Sequence, residues 1–275
     1  MQLKGIIKNM SAKTGVRANV LLQNYMLERL LERISASEYK WKFVLKGGML
    51  ISAMVGLDSR TTMDMDATIK GVNFTKEALL PIVNHIINVP LQDDISFSLN
   101  GIEEIREASE YDSYRVSLDA TYETIVVPLK IDISTGDTIT PKEVLYSFDL
   151  LFENRKIEIL AYNIETVLAE KFETIISRGI INTRARDFYD IYILPTLQKE
   201  NINWNDFKKA LATTATNRKT IYKIDNSLSI LEEIKENKVM QEIWKDYTKK
   251  FDYAEGILFE DIITAIVKLF ETYNS

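Results

Sequence analysis

Residues 46–70 read Lys46-Gly47-Gly48-Met49-Leu50-Ile51-Ser52-Ala53-Met54-Val55-Gly56-Leu57-Asp58-Ser59-Arg60-Thr61-Thr62-Met63-Asp64-Met65-Asp66-Ala67-Thr68-Ile69-Lys70. The short aromatic and branched run Trp41–Leu45 before them suits a strand or a buried turn. Gly47-Gly48 breaks that pattern, and Met49–Val55 resumes as a short apolar helix. Glycines at a helix start let backbone N–H groups approach a phosphate, and the helix dipole adds to the attraction. Residues 63–69 then alternate, which predicts a strand. Period two places the carboxylates of Asp64 and Asp66 on one face. Two close carboxylates repel unless a cation lies between them, and a hard divalent ion is the natural partner. Taken singly, Gly-Gly also fits a plain helix start, and Asp-x-Asp a surface strand.

A third acid stands downstream in Pro128-Leu129-Lys130-Ile131-Asp132-Ile133-Ser134. Leu129, Ile131 and Ile133 face one way; Lys130, Asp132 and Ser134 face the other. Asp64, Asp66 and Asp132 together form the kind of trio that holds two Mg²⁺ ions about 3.5–4 Å apart in phosphoryl chemistry.

Composition narrows the options. The 275 residues include no cysteine and one histidine, His85. That excludes a disulfide scaffold, a cysteine-type zinc site, an iron–sulfur cluster and a cysteine nucleophile. Polar chemistry falls to carboxylates, hydroxyls, Lys and Arg, a set that suits Mg²⁺. His85 lies on an amphipathic helix predicted over residues 75–88 and reads as structural. No apolar run reaches about 18 residues, so no membrane span is expected. The first ten residues lack a signal core, so a cytoplasmic protein is expected.

The first 35 residues have a helical pattern. Leu21, Leu22, Tyr25, Met26, Leu27, Leu30 and Leu31 form its apolar stripe, with Glu28, Arg29, Glu32 and Arg33 opposite. Strand-like stretches follow over residues 95–99, 114–121 and 125–133. Beyond Ala161 the pattern is helical, over residues 164–177, 185–198, 204–214, 228–236, 240–249 and 260–273. Pro195 and Asn-rich stretches mark the breaks. The expected fold class is α/β (α+β), with a mixed sheet domain over residues 1–160 and a helical domain over 161–275. The net charge is −6. Residues 93–123 hold nine acids against two bases, while Lys208, Lys209, Arg218, Lys219 and Lys223 face one acid, Asp206. Such a basic run suits a solvated surface or a nucleic-acid backbone.

The order Gly-Gly, short helix, Arg60-x-Thr62-x-Asp64-x-Asp66 resembles the signature of AbiEii/AbiGii-type nucleotidyltransferase toxins, within the DNA-polymerase-β-like nucleotidyltransferase superfamily. A second stretch, Glu165-Thr-Val-Leu-Ala-Glu170-Lys171 with Arg184-Ala-Arg186-Asp187-Phe-Tyr-Asp190, is similar to the C-terminal motif of that family. The resemblance spans residues from about 40 to 195. Thr62 stands where the family often has Ser.

That resemblance implies a polymerase-β-like mixed sheet with flanking helices and a C-terminal helical domain. It implies that Gly47 and Gly48, with Lys46, Arg60 and Thr62, bind the nucleotide. Asp64, Asp66 and Asp132 become the Mg²⁺ ligands, Asp132 also helping to activate an acceptor hydroxyl. Lys171 becomes a contact to the triphosphate, and Asp187 and Asp190 catalytic or supporting acids. Read without the resemblance, Lys171 and Arg184 fit surface ion pairs and Asp187 a helix-start charge. The implied role is the toxin of a bicistronic toxin–antitoxin and phage-defence system. It would transfer a nucleotide from an NTP, GTP or a pyrimidine NTP, to an acceptor such as RNA, including tRNA 3′ ends. The antitoxin is expected to be a separate DNA-binding protein with no stable complex. Two alternatives stay open: a toxin acting through GTP or NTP binding, and nucleotidylation of a protein side chain.

Overall fold

The computed structural model describes residues 3–105 and 113–274. Part of the acidic run, residues 106–112, lies outside the described residues. The chain divides into two compact units. The first holds the described residues through Asp137 together with Glu143–Tyr162; the second holds Thr138–Lys142 and the described residues from Asn163 onward.

The first unit opens with helices α1 (Leu3–Thr14) and α2 (Ala18–Ala36). The sequence pattern runs through this region as one helical stretch. The structure splits it, and Gly15 at φ +76° turns the chain between the two helices. Strand β1 (Phe43–Lys46), helix α3 (Gly47–Val55), strand β2 (Met65–Ile69) and helix α4 (Lys76–Ile87) follow. Thr75 caps α4 by accepting from the Ala78 N–H. Then come β3 (Ile95–Ile105), β4 (Ser113–Tyr122), β5 (Ile125–Ser134), β6 (Val144–Asp149) and β7 (Lys156–Ala161). Among the described residues these form one sheet in the order β3-β4-β5-β2-β1-β7-β6. The pairs β1–β7 and β2–β5 are parallel and the others antiparallel.

Alternation in β5 is as the sequence predicts: Leu129, Ile131 and Ile133 are buried, Lys130 is exposed and Asp132 half-buried. Strand β2 is shorter than predicted. It starts at Met65, and Met63 and Asp64 form a bend before it. That bend is held by α2. The buried amide of Asn24 donates to the Thr62 carbonyl at 2.8 Å, and Gln23 donates to the carbonyls of Met63 and Pro128 at 3.0 Å each. These backbone carbonyls take side-chain donors in place of ladder bonds.

The charged side of α2 is not a solvated face. Glu28, Arg29, Glu32 and Arg33 are all buried. Arg29 pairs with Glu28 at 2.6 Å, Glu32 at 2.9 Å and Glu153 at 2.7 Å, and Arg33 grips Asp93. Charges are buried here because each has an opposite partner.

The second unit is helical: α5 (Ile164–Arg178), α6 (Ala185–Gln198), α7 (Trp204–Asn217), α8 (Ile221–Asp225), α9 (Ser227–Glu236), α10 (Lys238–Lys250) and α11 (Phe259–Asn274). Asparagines start three of them: Asn163, Asn203 and Asn237 each accept backbone N–H groups of the first turn. Pro195 sits inside α6, whose span matches the expected helix over 185–198, so it does not mark a break; lacking an N–H, it cannot donate to the Ile191 carbonyl. Phe172, Phe188 and Phe207 are fully buried, and Phe172 stacks on Phe270 with ring centroids 6.2 Å apart. Trp244 is buried and its indole N–H reaches the Ile257 carbonyl. The segment Thr138–Lys142 is tied to the start of α5 by the Asn163 amide, which donates to the carbonyls of Thr140 and Lys142.

The basic run 205–223 is largely committed inside its own unit. Arg218 bridges Glu173 at 2.6 Å and Glu170 at 3.3 Å, Lys209 pairs with Asp206, and Lys223 donates to the Ser177 carbonyl. Among the described residues no helix is long and apolar enough to cross a membrane.

Candidate nucleotide and metal site

Strand register builds the centre of the site. Lys46 on β1 stands opposite Asp66 on β2, Asp66 opposite Asp132 on β5, and Asp132 opposite Arg115 on β4. Directly paired residues project from the same face, so four adjacent strands present one row: Lys46, Asp66, Asp132, Arg115. Asp64 lies two residues before Asp66, in the bend that Gln23 and Asn24 anchor.

The glycine pair closes onto this row. Gly47 takes φ +65°, and the Gly48 N–H points at Asp66 Oδ2 at 3.3 Å. A Cβ on Gly47 would stand 1.9 Å from that same oxygen. A Cβ on Gly48 would meet the Thr62 hydroxyl at 2.7 Å and the Arg60 guanidinium at 3.3 Å. The pair is therefore required by close approach of the helix start to the acid-bearing strand. Thr62 and Arg60 are both buried behind it. The Thr62 hydroxyl donates to Asp64 Oδ1 at 2.9 Å, which orients that carboxylate.

The row is unbalanced around Asp66. Burial raises the pKa of Asp66, and the charges of Asp64 and Asp132 raise it further against the opposing pull of Lys46 and the Gly48 N–H. Lys46 gives only part of its charge to Asp66. Its ammonium donates to Ser134 Oγ and to Asp137 Oδ2, both at 2.7 Å. Asp137 is held below the ordinary carboxylate range: burial opposes ionisation, but Lys46 and hydrogen bonds from Lys46, Ser134 and Thr68 outweigh it. At the far end of the row, Arg115 grips both oxygens of Asp132, Nε to Oδ1 at 2.8 Å and Nη2 to Oδ2 at 2.7 Å.

Among the described residues, no three His, Cys, Asp or Glu side chains converge as a ready metal cluster. The donor chemistry nevertheless fits a hard divalent cation at Asp64 and Asp66, where carboxylates accumulate beyond what Lys46 neutralises. Asp132 is engaged by Arg115 instead of facing its acidic neighbours alone.

The second motif forms its own cluster within the helical unit. Lys171 on α5 reaches Asp187 at 2.5 Å and Asp190 at 3.1 Å on α6, and Arg184 reaches Asp187 at 2.8 Å. Asp187 and Asp190 are essentially inaccessible, at 1% and 0% exposure. Burial opposes the charge on Lys171, yet the two carboxylates raise its pKa above the ordinary lysine value. The plain ion-pair reading thus describes the geometry, except that the pairs are buried.

Sequence reasoning missed Arg115, Asp137 and the two amides of α2. Arg115 becomes visible only through the β4–β5 register, and Asp137 only after the turn at Gly136 brings it back to Lys46. His85 stays outside the row, half-exposed 3.7 Å from Glu38.

Comparison with known proteins fits this arrangement. A crystal structure of a candidate nucleotidyltransferase from H. pylori superposes with a TM-score of 0.52 at 17% identity, covering 94% of this chain and 98% of its own. The crystal structure of JHP933 from Helicobacter pylori gives 0.50 at 18% identity, covering 94% and 92%. At such identity these likenesses speak to the fold, a nucleotidyltransferase fold. No curated protein matches the chain. The family described as nucleotidyl transferase AbiEii toxin, type IV TA system, matches residues 29–265. With that match spanning most of its length, the chain belongs to the AbiEii nucleotidyl transferase toxin family of type IV toxin–antitoxin systems.

Proposed function

We propose that this toxin is a Mg²⁺-dependent nucleotidyltransferase of the cytoplasm, moving a nucleotide from an NTP to an RNA hydroxyl, with tRNA 3′ ends the foremost acceptor class. The observation that carries the reading is the approach of the Gly47-Gly48 helix start to Asp66, beside Asp64 and in register with Asp132. It joins a phosphate-accepting backbone to a surplus of carboxylates, the two halves of a metal–triphosphate site. RNA as acceptor rests on the family resemblance. So does a separate DNA-binding antitoxin that forms no stable complex with the toxin.

The residues divide the work as follows. Asp64 and Asp66, joined by Asp132 once it is released from Arg115, would hold the metal, which when bound would screen the triphosphate and the leaving pyrophosphate. The amides of Gly47 and Gly48 cradle phosphate oxygens, and Lys46 adds positive charge at the same end of the row. Asp132 takes the proton of the acceptor hydroxyl as its oxygen bonds to the α-phosphorus. The α–β phosphoanhydride bond breaks and pyrophosphate leaves with the electron pair. Thr62 keeps Asp64 aimed throughout.

The test is incubation of the full chain with labelled NTPs, Mg²⁺ and total RNA. Label should appear in RNA with the wild-type chain and vanish with Asp64→Ala. Equal labelling by both proteins, or none by either with any NTP, rejects the reading. One observation favours a second reading, toxicity through nucleotide binding: Asp132 is already neutralised by Arg115. Unchanged toxicity of Asp132→Asn alongside tight NTP binding would select it.

A further inference from the structure

We infer that Arg115 is a positioning residue that controls when Asp132 becomes available to a divalent cation; the inference rests on the metal-site reading above. Three observations carry it. First, the guanidinium meets Asp132 as a fork, occupying both carboxylate oxygens at 2.8 and 2.7 Å. A planar bidentate pair of this kind satisfies the carboxylate in geometry as well as charge. Second, Asp132 is in direct register with Asp66 on the adjacent strand, so the two carboxylates project from one face of the sheet. An ion seated between Asp66 and Asp132 would compete with Arg115 for the same oxygens and repel its charge. Third, the pair is open to solvent, with side-chain exposures of 37% for Arg115 and 23% for Asp132. Ion pairs so exposed are weak enough to exchange partners.

A second partner stands on the other side. Glu103 on β3 is in register with Arg115 and exposed. The row thus continues Glu103, Arg115, Asp132, Asp66, Lys46, and the guanidinium lies between two carboxylates on neighbouring strands. With no ion present it holds Asp132. When an ion takes Asp132, Arg115 turns to Glu103 or to a substrate phosphate. The resident guanidinium therefore acts as a counter-charge that keeps the acid cluster folded and makes metal binding at Asp132 an exchange.

The experiment is Mn²⁺ binding to the full chain, followed by electron paramagnetic resonance and calorimetry. The proteins are wild type, Arg115→Ala, Arg115→Lys, Asp132→Asn, Asp64→Ala and the Arg115→Ala, Asp132→Asn double variant, each checked for folding by thermal melting. Arg115→Ala is expected to tighten Mn²⁺ binding about two- to fivefold, the scale of an exposed ion pair. Arg115→Lys, which keeps the charge and loses the fork, should tighten it less and serves if the alanine variant does not fold. In the Asp132→Asn background the gain should disappear. An unchanged or weaker affinity in a folded Arg115 variant overturns the inference. So does an equal gain in the Asp132→Asn background, which would reduce Arg115 to a general field. If wild type binds Mn²⁺ and Asp64→Ala does not, such results remove Arg115's role alone. Binding by no variant removes the metal site and the inference with it.

Discussion

A Cβ at position 47 would lie 1.9 Å from Oδ2 of Asp66 and 2.6 Å from its Cγ, so the backbone at the start of α3 and the acid on β2 occupy one small space. Gly47→Ala must therefore push Asp66 away or shift the helix start. Two costs combine, about 1–3 kcal/mol for the positive φ and the clash in addition to it. Gly71→Ala separates them. Gly71 has φ +67° with nothing within 4 Å of its missing Cβ, so it carries the backbone cost alone. Thermal melting and label transfer should show both losses in Gly47→Ala and only a small stability loss in Gly71→Ala. Equal behaviour of the two variants would mean that the approach to Asp66 is unimportant.

The Lys171 cluster allows its structural and chemical roles to be told apart. Removing the ammonium takes the α5 partner away from the buried carboxylates of Asp187 and Asp190 and leaves Arg184 paired with Asp187. Breaking a buried pair in this way costs about 3–5 kcal/mol. Lys171→Met should thus lower the melting temperature strongly, and Asp187→Asn with Asp190→Asn added should restore much of it. Transfer measured on the restored triple variant reports whether these three side chains are needed beyond stability. A Lys171→Met protein of native stability would contradict the ion-pair role.

How much of this could be read from the sequence depends on the range of the interaction. The Gly47-Gly48 break and the alternation around Asp132 are local periodicities, and the structure places them on α3 and β5 accordingly, while of the Asp-x-Asp pair only Asp66 lies on β2. Six of the seven helices described in the second unit were legible for the same reason, since apolar spacing is local; the five-residue α8 (Ile221–Asp225) was not. The polar side of α2 misled because periodicity reports polarity and not exposure. Glu28, Arg29 and Arg33 are buried by Leu151, Glu153, Asp93 and Ile95, which lie far along the chain. Arg115 and Asp137 were invisible because they enter the row only through register and a turn. Asp64 was assigned to a strand, but Gln23 and Thr62 hold it in a bend that strand periodicity cannot distinguish.

Asp137 gives a pH prediction. Its folded-state pKa lies below the ordinary value of 3.8 because Lys46 and three hydrogen-bond donors outweigh its burial. Its contribution is therefore complete above 3.8 and is lost as pH falls through the folded value. Asp137→Asn should lower stability at neutral pH by about 1–3 kcal/mol, since it removes the charge opposite Lys46. It should also flatten the acid limb of a denaturation curve below pH 3.8. An acid limb identical to wild type would show that Asp137 does not hold Lys46 in solution.

Asp66 should behave in the opposite sense, because its charge serves the ligand and burdens the empty fold. Burial, Asp64 and Asp132 all disfavour its ionised form, and Lys46 divides its charge with Asp137. Asp66→Asn keeps an oxygen that can accept from the Gly48 N–H while removing the repulsion. The variant is expected to melt higher than wild type without divalent ions, by about 0.5–1 kcal/mol, while transfer falls at least about 100-fold. Added Mg²⁺ should then raise the melting temperature of the wild-type chain and leave Asp66→Asn unmoved, since only a state that binds the ion is stabilised by it. A variant less stable than wild type, or an equal Mg²⁺ shift in both proteins, would show that Asp66 is held for packing and not for the ion.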